Sequence, residues 1–228
     1  MMMITSRKDQ APSFPLKPEP GEKHLRYLDH VKNNICDGDE KRFSYLICWM
    51  ARAVQKPDEP GEVAIVVCGG QGTGKTLFAD VFGSLFGPHY WAVDAKAVNG
   101  RFNTQLRDCV VMLAEDVFSA RDRRIERIVK SLIKERVITI EAKGSDPEVL
   151  NNKLHVILTS AEYVVTASSD ERRFFVLDVA KPPRGNQTDF AAIMRDLADG
   201  GFANLLYMLQ SMDLSGFNPR DMPVRTAS

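Results

Sequence analysis

The chain has 228 residues, and its 30 basic and 30 acidic side chains give a formal net charge of zero. This balance excludes binding to nucleic acid through overall charge, so any such surface must be local. The length suits one substantial core with a small accessory subdomain. Four widely spaced cysteines inside apolar segments (Cys36, Cys48, Cys68 and Cys109) indicate reduced thiols in a cytoplasmic protein rather than disulfides or a zinc site. No apolar run reaches the roughly 20 residues of a membrane span, so no membrane partner is predicted.

The chain is predicted to begin with a linker and a helical region. Four prolines among residues 1–20 favour an extended linker. Residues 21–60 are predicted to form an N-terminal helical region with two helices. The first carries Leu25, Leu28, Val31 and Ile35, and the second has an apolar stripe between Phe43 and Val54.

Residues 69–76 read Gly-Gly-Gln-Gly-Thr-Gly-Lys-Thr and fit the phosphate-loop pattern G-x-x-x-x-G-K-[ST]. In this pattern the glycines let backbone N–H groups surround phosphates, Lys75 reaches the β- and γ-phosphates, and Thr76 ligates Mg²⁺. An apolar strand precedes the loop and a helical pattern follows it. Nucleotide binding is therefore predicted, with an ordinary glycine turn as the alternative. The predicted nucleotide-binding residues are Gly69, Gly70, Gln71, Gly72, Thr73, Gly74, Lys75 and Thr76.

A second apolar strand, residues 109–114, leads to Glu115 and Asp116. The carboxyl edge of an open α/β sheet carries the ligand site. One carboxylate there would bind Mg²⁺ and the other would orient an attacking water. The alternative is a helix that begins with acidic residues.

Downstream, the pattern predicts a helix and a hairpin. Residues 121–136 have an apolar stripe and a basic face, for which a solvated surface is the alternative. The alternation of residues 138–143 and the Gly-Ser-Asp-Pro turn after it predict a β-hairpin with Lys143 at its tip. Such a lysine can contact a phosphate backbone without reading sequence, or it is an ordinary surface lysine.

Two further strands complete the predicted core. Residues 154–159 lead to Ser160, whose hydroxyl is expected at the catalytic edge, and Arg172 and Arg173 precede an apolar strand at residues 174–177. One arginine could reach a nucleotide while the other forms a local ion pair. The whole pattern predicts an α/β fold with a mostly parallel sheet flanked by helices. Its core spans residues 61–185, and a C-terminal helical segment spans residues 186–228.

The order of these features resembles the superfamily 3 helicases, ring-forming ATPases of the AAA+ type from viruses, phages and plasmids. The greatest similarity is to the helicase part of phage primase–helicase and primase–polymerase proteins. The resemblance covers about residues 22–225 and rests on residues 69–76, 112–118, 138–144 and 170–178. Relatives have Asp before Glu at the carboxylate pair and an Asn after the third strand, whereas this chain has Glu115 before Asp116 and has Ser160.

The resemblance implies a P-loop NTPase fold and an ATP-hydrolysing motor of a replicative helicase, with ATP and Mg²⁺ as cofactors. It implies that the chain translocates on single-stranded DNA as a homo-oligomer, a six-subunit ring in a bacterial host cell, next to a primase or polymerase module on the N-terminal side. Two alternatives are a nucleotide-switched AAA+-like scaffold or loader and a small-molecule kinase. The implied catalytic residues are Lys75, Glu115, Asp116, Ser160, Arg172 and Arg173, with Arg172 or Arg173 reaching into the nucleotide site of the neighbouring subunit. Thr76 and Glu115 would hold the metal, and Lys143 would bind DNA.

Overall fold

The computed structural model describes residues 14–94, 103–115, 123–161, 173–179 and 189–223. Seven strands lie in these ranges: β1 (Ala64–Cys68), β2 (Tyr90–Asp94), β3 (Val111–Glu115), β4 (Val137–Ile140), β5 (Glu148–Asn151), β6 (His155–Ser160) and β7 (Phe174–Asp178). Five of them form a parallel sheet in the order β2-β3-β6-β1-β7. The other two, β4 and β5, form a separate antiparallel hairpin.

The described helices are α1 (Leu25–His30), α2 (Glu40–Gln55), α3 (Lys75–Ser84), α4 (Arg123–Lys134), α5 (Phe190–Asp196) and α6 (Phe202–Ser211). π-helical turns extend α1 through Val31–Ile35 and α5 through Leu197–Gly201, and short 3₁₀ helices lie at Gly87–His89 and Thr104–Arg107. Asp39 caps the N-terminus of α2, because its carboxylate accepts the N–H groups of Lys41 and Arg42. No described helix has both the length and the apolarity of a membrane span.

The sheet separates two hydrophobic clusters. Ile65 and Val67 of β1 belong to the cluster that contains buried residues of α1, α2, α3, α5 and α6. Val66 and Cys68 belong to the cluster that contains buried residues of α4 and β4. Because neighbouring residues of a strand face opposite sides, β1 is buried on both faces, and its continuous apolar sequence follows from that position.

The structure confirms the predicted α/β fold with a parallel sheet flanked by helices, and it corrects several details. The edge strand β2 was not predicted. Leu25, expected on the buried stripe of the first helix, is 51% exposed, while Tyr27 is fully buried there. Alternation beyond Ile140 suggested a longer hairpin strand, but residues 141–147 form the connecting loop, so Lys143 lies in the loop and not on a strand face. The predicted domain boundaries stay predictions.

Candidate functional site

The loop between β1 and α3 is held at its base by two neighbouring strands. The N–H of Gly69 donates to the carbonyl of Ser160 at 3.1 Å, and the N–H of Val179 donates to the carbonyl of Cys68 at 2.7 Å. Gly72 and Gly74 have φ values of +79° and +85°, a left-handed conformation that glycine adopts without steric cost. The N–H groups of residues 70–74 find no acceptor among the described residues. Within the described part of the chain, the loop therefore offers several unpaired donors to an anion.

Lys75 is the first residue of α3 and is folded against this loop. Its Nζ donates to the carbonyls of Gly69 and Gly70, each at 2.7 Å, and lies 3.5 Å from Oγ1 of Thr73. The ammonium group is thus already at the loop, beside the N-terminus of α3, where the helix dipole also favours an anion. A phosphate oxygen is a stronger acceptor for it than a neutral carbonyl, because both partners then carry charge.

Thr76 and Glu115 bring two oxygen ligands together at the carboxyl edge of the sheet. Oγ1 of Thr76 donates to Oε1 of Glu115 at 3.0 Å, which joins the first turn of α3 to the last residue of β3. No cluster of three or more His, Cys, Asp or Glu side chains occurs in the described part of the chain. Mg²⁺ does not need one, since it commonly takes one or two carboxylates together with substrate phosphates. The pair fits a magnesium ion bound with a nucleotide, and Asp116 lies outside the described residues.

The remaining predicted catalytic residues lie at different distances from the loop. Ser160 ends β6 and is fully buried directly beneath the loop. Arg173, half-buried, precedes β7, whose first residue pairs with the start of β1. The loop follows the other end of β1, so the length of the strand, about 13 Å, separates Arg173 from it. The structure therefore does not bring Arg173 to its own phosphate loop, and Arg172 lies outside the described residues.

The hairpin is anchored to the body of the domain on the face opposite α3. The side-chain amide of Asn103 donates to the carbonyl of Thr139 at 2.8 Å, and its oxygen accepts the N–H of Glu141 at 2.8 Å. Arg107 forms an ion pair with Glu148 on the second strand. Residues 141–147 project from this anchored base with Lys143 exposed, as expected of a lysine at a hairpin tip.

The base of the hairpin is also attached to the end of α4. Asn152 is buried, and its side-chain amide donates to the carbonyls of Leu132 at 2.6 Å and Glu135 at 2.7 Å. Its side-chain oxygen accepts the N–H of Leu154 at 3.0 Å. These bonds satisfy carbonyls that the end of a helix otherwise leaves unpaired.

Behind the phosphate loop lie three aromatic residues that the sequence did not single out. The hydroxyl of Tyr27 donates to the carbonyl of Phe78 at 3.0 Å, and Nε2 of His30 lies 3.3 Å from the carbonyl oxygen of Gly74. The His30 ring meets the ring of Phe190 edge-on with centroids 5.5 Å apart. Burial lowers the pKa of His30, so its imidazole is neutral at neutral pH. A single buried histidine in a short helix carries no sequence signal that would distinguish it from any core residue.

Comparison with known proteins finds similarity to a family of unknown function and to a phage DNA primase-polymerase. Residues 67–173 match the profile of a family of unknown function (DUF5906). Over 170 residues the chain is 27% identical to the DNA primase-polymerase of Nitratiruptor phage NrS-1, a match covering 72% of this chain and 23% of the relative. Two apo structures of the NrS-1 C-terminal region have TM-scores of 0.72 and 0.71 at 22% identity. They cover 87% and 88% of this chain, which spans 48% and 49% of them.

These matches correct the functional interpretation of the sequence. The assignment to the superfamily 3 helicases, and with it an ATP-hydrolysing helicase motor, is wrong, because the relatives are a family of unknown function and a phage DNA primase-polymerase. They support neither the AAA+-like scaffold nor the small-molecule kinase. A phosphate loop, a carboxylate-ended strand and a basic hairpin occur in proteins of many functions, so their order could not decide the activity. The expected phage and DNA-replication context agrees with the relative. This chain is similar to part of a phage DNA primase-polymerase, and its fold is that of about half of the NrS-1 C-terminal region.

Proposed function

We propose that this chain is the nucleoside triphosphate-binding module of a phage-type DNA primase-polymerase. The observation that carries the proposal is the phosphate loop: the N–H groups of residues 70–74 lack acceptors among the described residues, and the ammonium of Lys75 lies against the same loop. The similarity to a phage DNA primase-polymerase supports the replication context. A triphosphate would supply the acceptors for these N–H groups and the negative charge for Lys75.

The side chains around the loop would bind different parts of a magnesium–ATP complex. Thr76 and Glu115 would hold Mg²⁺, which neutralises charge on the phosphate oxygens when it is bound. The Thr76 hydroxyl is exposed, and Glu115 is half-buried at the sheet edge, so both can be reached from solvent. Ser160 supports the loop from below through its carbonyl bond to Gly69.

DNA is the proposed second ligand, and the loop of the hairpin is its proposed contact. Lys143 is exposed in that loop, and the bonds of Asn103 to the first strand hold the hairpin in one position on the domain. A lysine presented in this way binds phosphate groups without regard to base sequence. Sequence-independent contact suits a protein that acts on DNA of many sequences.

Calorimetric titration of the purified chain with Mg·ATP tests the nucleotide site. Lys75→Ala removes a cation from the phosphates, and charge-assisted bonds of this kind contribute enough to weaken the affinity about tenfold to a hundredfold. Lys143→Ala serves as the control and is expected to bind Mg·ATP as the wild type does. If Lys75→Ala binds Mg·ATP with wild-type affinity, the phosphate loop is not the nucleotide site.

Fluorescence anisotropy with labelled oligonucleotides over a range of salt concentrations tests the DNA contact. Lys143→Ala should weaken binding to all sequences alike and reduce the slope of log affinity against log salt by about 0.7 to 0.9, because one fewer counterion is released. Here Lys75→Ala is the control and should keep the wild-type slope. An unchanged slope for Lys143→Ala would show that the hairpin loop does not contact the DNA backbone.

A further inference from the structure

We infer that His30 is a positioning residue for the phosphate loop, fixing the peptide between Gly74 and Lys75 in the orientation that receives a phosphate. The inference rests on the proposed nucleotide site and assigns a role there to a residue far away in sequence. His30 lies at the end of α1, and Gly74 lies at the start of α3. In this role His30 acts on the loop and does not contact the nucleotide.

The first observation is how closely the His30 ring approaches the loop. A Cβ atom placed on Gly74 would lie 2.4 Å from Cε1 and 2.6 Å from Nε2 of His30, and 2.9 Å from Cε1 of Phe190. No real Cβ atom could occupy that space. The glycine at this position is therefore required by its φ of +85° and by the two rings that pack directly against its Cα.

The second observation is the hydrogen bond between the two residues. The carbonyl of Gly74 can only accept, so at 3.3 Å Nε2 of His30 is the donor and carries the ring proton. Nδ1 then has no proton, and it is buried with no hydrogen-bond partner among the residues that the structure describes. His30 is 2% exposed, and burial lowers its pKa, so the neutral ring with its proton on Nε2 is the form that fits.

Because the peptide is planar, the bond to the Gly74 carbonyl also fixes the direction of the Lys75 N–H group. The C=O of Gly74 and the N–H of Lys75 belong to one peptide plane and point in opposite directions. When His30 and the N–H of Phe78 hold the carbonyl, at 3.3 Å and 3.0 Å, the N–H of Lys75 is directed away from the ring. A loop already held in this orientation loses less conformational entropy when it binds a ligand.

The alternative role for His30 is packing alone, and Tyr27 offers a matched comparison. Tyr27 is on the same helix and also bonds to a carbonyl of α3, that of Phe78, at 3.0 Å. That carbonyl lies one turn beyond the loop, so losing the bond should affect stability without reorienting the peptide before Lys75. A role in positioning and a role in packing therefore predict different results for the two residues.

The experiment compares Mg·ATP dissociation constants and thermal unfolding midpoints for His30→Phe, His30→Gln, His30→Asn and Tyr27→Phe in the full chain. His30→Phe keeps a ring against Phe190 but has no donor, and it should weaken Mg·ATP binding about fivefold to tenfold, the effect of one lost hydrogen bond. The amide nitrogen of Gln reaches about as far as Nε2, so His30→Gln should restore most of the affinity. The shorter Asn should not. Tyr27→Phe should lower the midpoint and leave the dissociation constant unchanged.

The results distinguish the positioning role of His30 from the nucleotide site itself. Equal dissociation constants for wild type, His30→Phe and His30→Asn would overturn the positioning role while leaving the nucleotide site intact. If His30→Phe does not fold, the comparison of His30→Gln with His30→Asn decides in the same way. If the wild type itself does not bind Mg·ATP, the proposed function fails, and the role assigned to His30 fails with it.

Discussion

Gly74→Ala should be a strongly destabilising single-methyl change in the phosphate loop. The left-handed φ of +85° costs an alanine about 1–2 kcal/mol. The new methyl would also lie 2.4 Å from the buried His30 ring, and overpacking of this kind costs about 1–3 kcal/mol. Gly144→Ala is the matched control, because its φ is +77° and no described residue beyond its chain neighbours lies within 4 Å of the position of its Cβ. We expect Gly74→Ala to lower the free energy of unfolding by about 2–5 kcal/mol. Gly144→Ala should lower it only by the cost of the left-handed φ, about 1–2 kcal/mol.

Urea unfolding followed by circular dichroism measures the difference between the two variants. The midpoint should fall further for Gly74→Ala than for Gly144→Ala, with similar slopes if the unfolded states are alike. Mg·ATP affinity should fall for Gly74→Ala alone, since the methyl displaces the rings that hold the loop. Equal midpoints for the two variants would refute the close contact between His30 and the loop.

Two other buried polar residues give separate predictions. Asn152→Ala removes three hydrogen bonds of 2.6, 2.7 and 3.0 Å and should lower the free energy of unfolding by about 3 kcal/mol, measured by urea unfolding. Burial lowers the pKa of His155 from 6.5 to about 3, so the unfolded state binds a proton there that the folded state does not. Stability should therefore fall as pH drops from 6.5 towards 3, by about 1.4 kcal/mol per pH unit from this residue. The free energy of unfolding of His155→Leu should fall less steeply than that of the wild type between pH 7 and 5. Equal slopes of unfolding free energy against pH would contradict the lowered pKa of His155.

The elements that could be predicted are those whose sequence pattern is contiguous along the chain. The apolar run of β1, the glycines of the loop and the periodic apolar residues of α3 are contiguous, so strand, loop and helix could be recognised together. The hairpin was predicted because its alternation and its Gly-Ser-Asp-Pro turn are adjacent. The edge strand β2 was missed although residues 90–93 are four consecutive apolar residues. It lies at the edge of the sheet, where Trp91 is half-buried and Ala92 is exposed, as the structure alone shows.

The contacts that shape the candidate site are non-local and leave no such pattern. His30 and Gly74 are 44 residues apart, and nothing near either one indicates that a ring would pack on the glycine. The bond of Asn103 to the edge of β4 likewise joins residues 36 positions apart. The activity was misassigned for a different reason. The recognised motifs describe how phosphate is bound, and binding of phosphate is common to proteins that do unrelated chemistry.

Hydrogen–deuterium exchange with and without Mg·ATP tests the central claim most directly, because the claim concerns the N–H groups of residues 70–74. These groups have no acceptor among the described residues and should exchange rapidly in the free protein. Saturating Mg·ATP should slow exchange in the peptide that spans residues 69–76, while exchange in the hairpin loop at residues 141–147 should stay unchanged. Lys75→Ala should lose most of this protection at the same ATP concentration. Unaltered exchange of residues 69–76 in the wild-type protein at saturating Mg·ATP would contradict the proposal that this loop binds a nucleoside triphosphate.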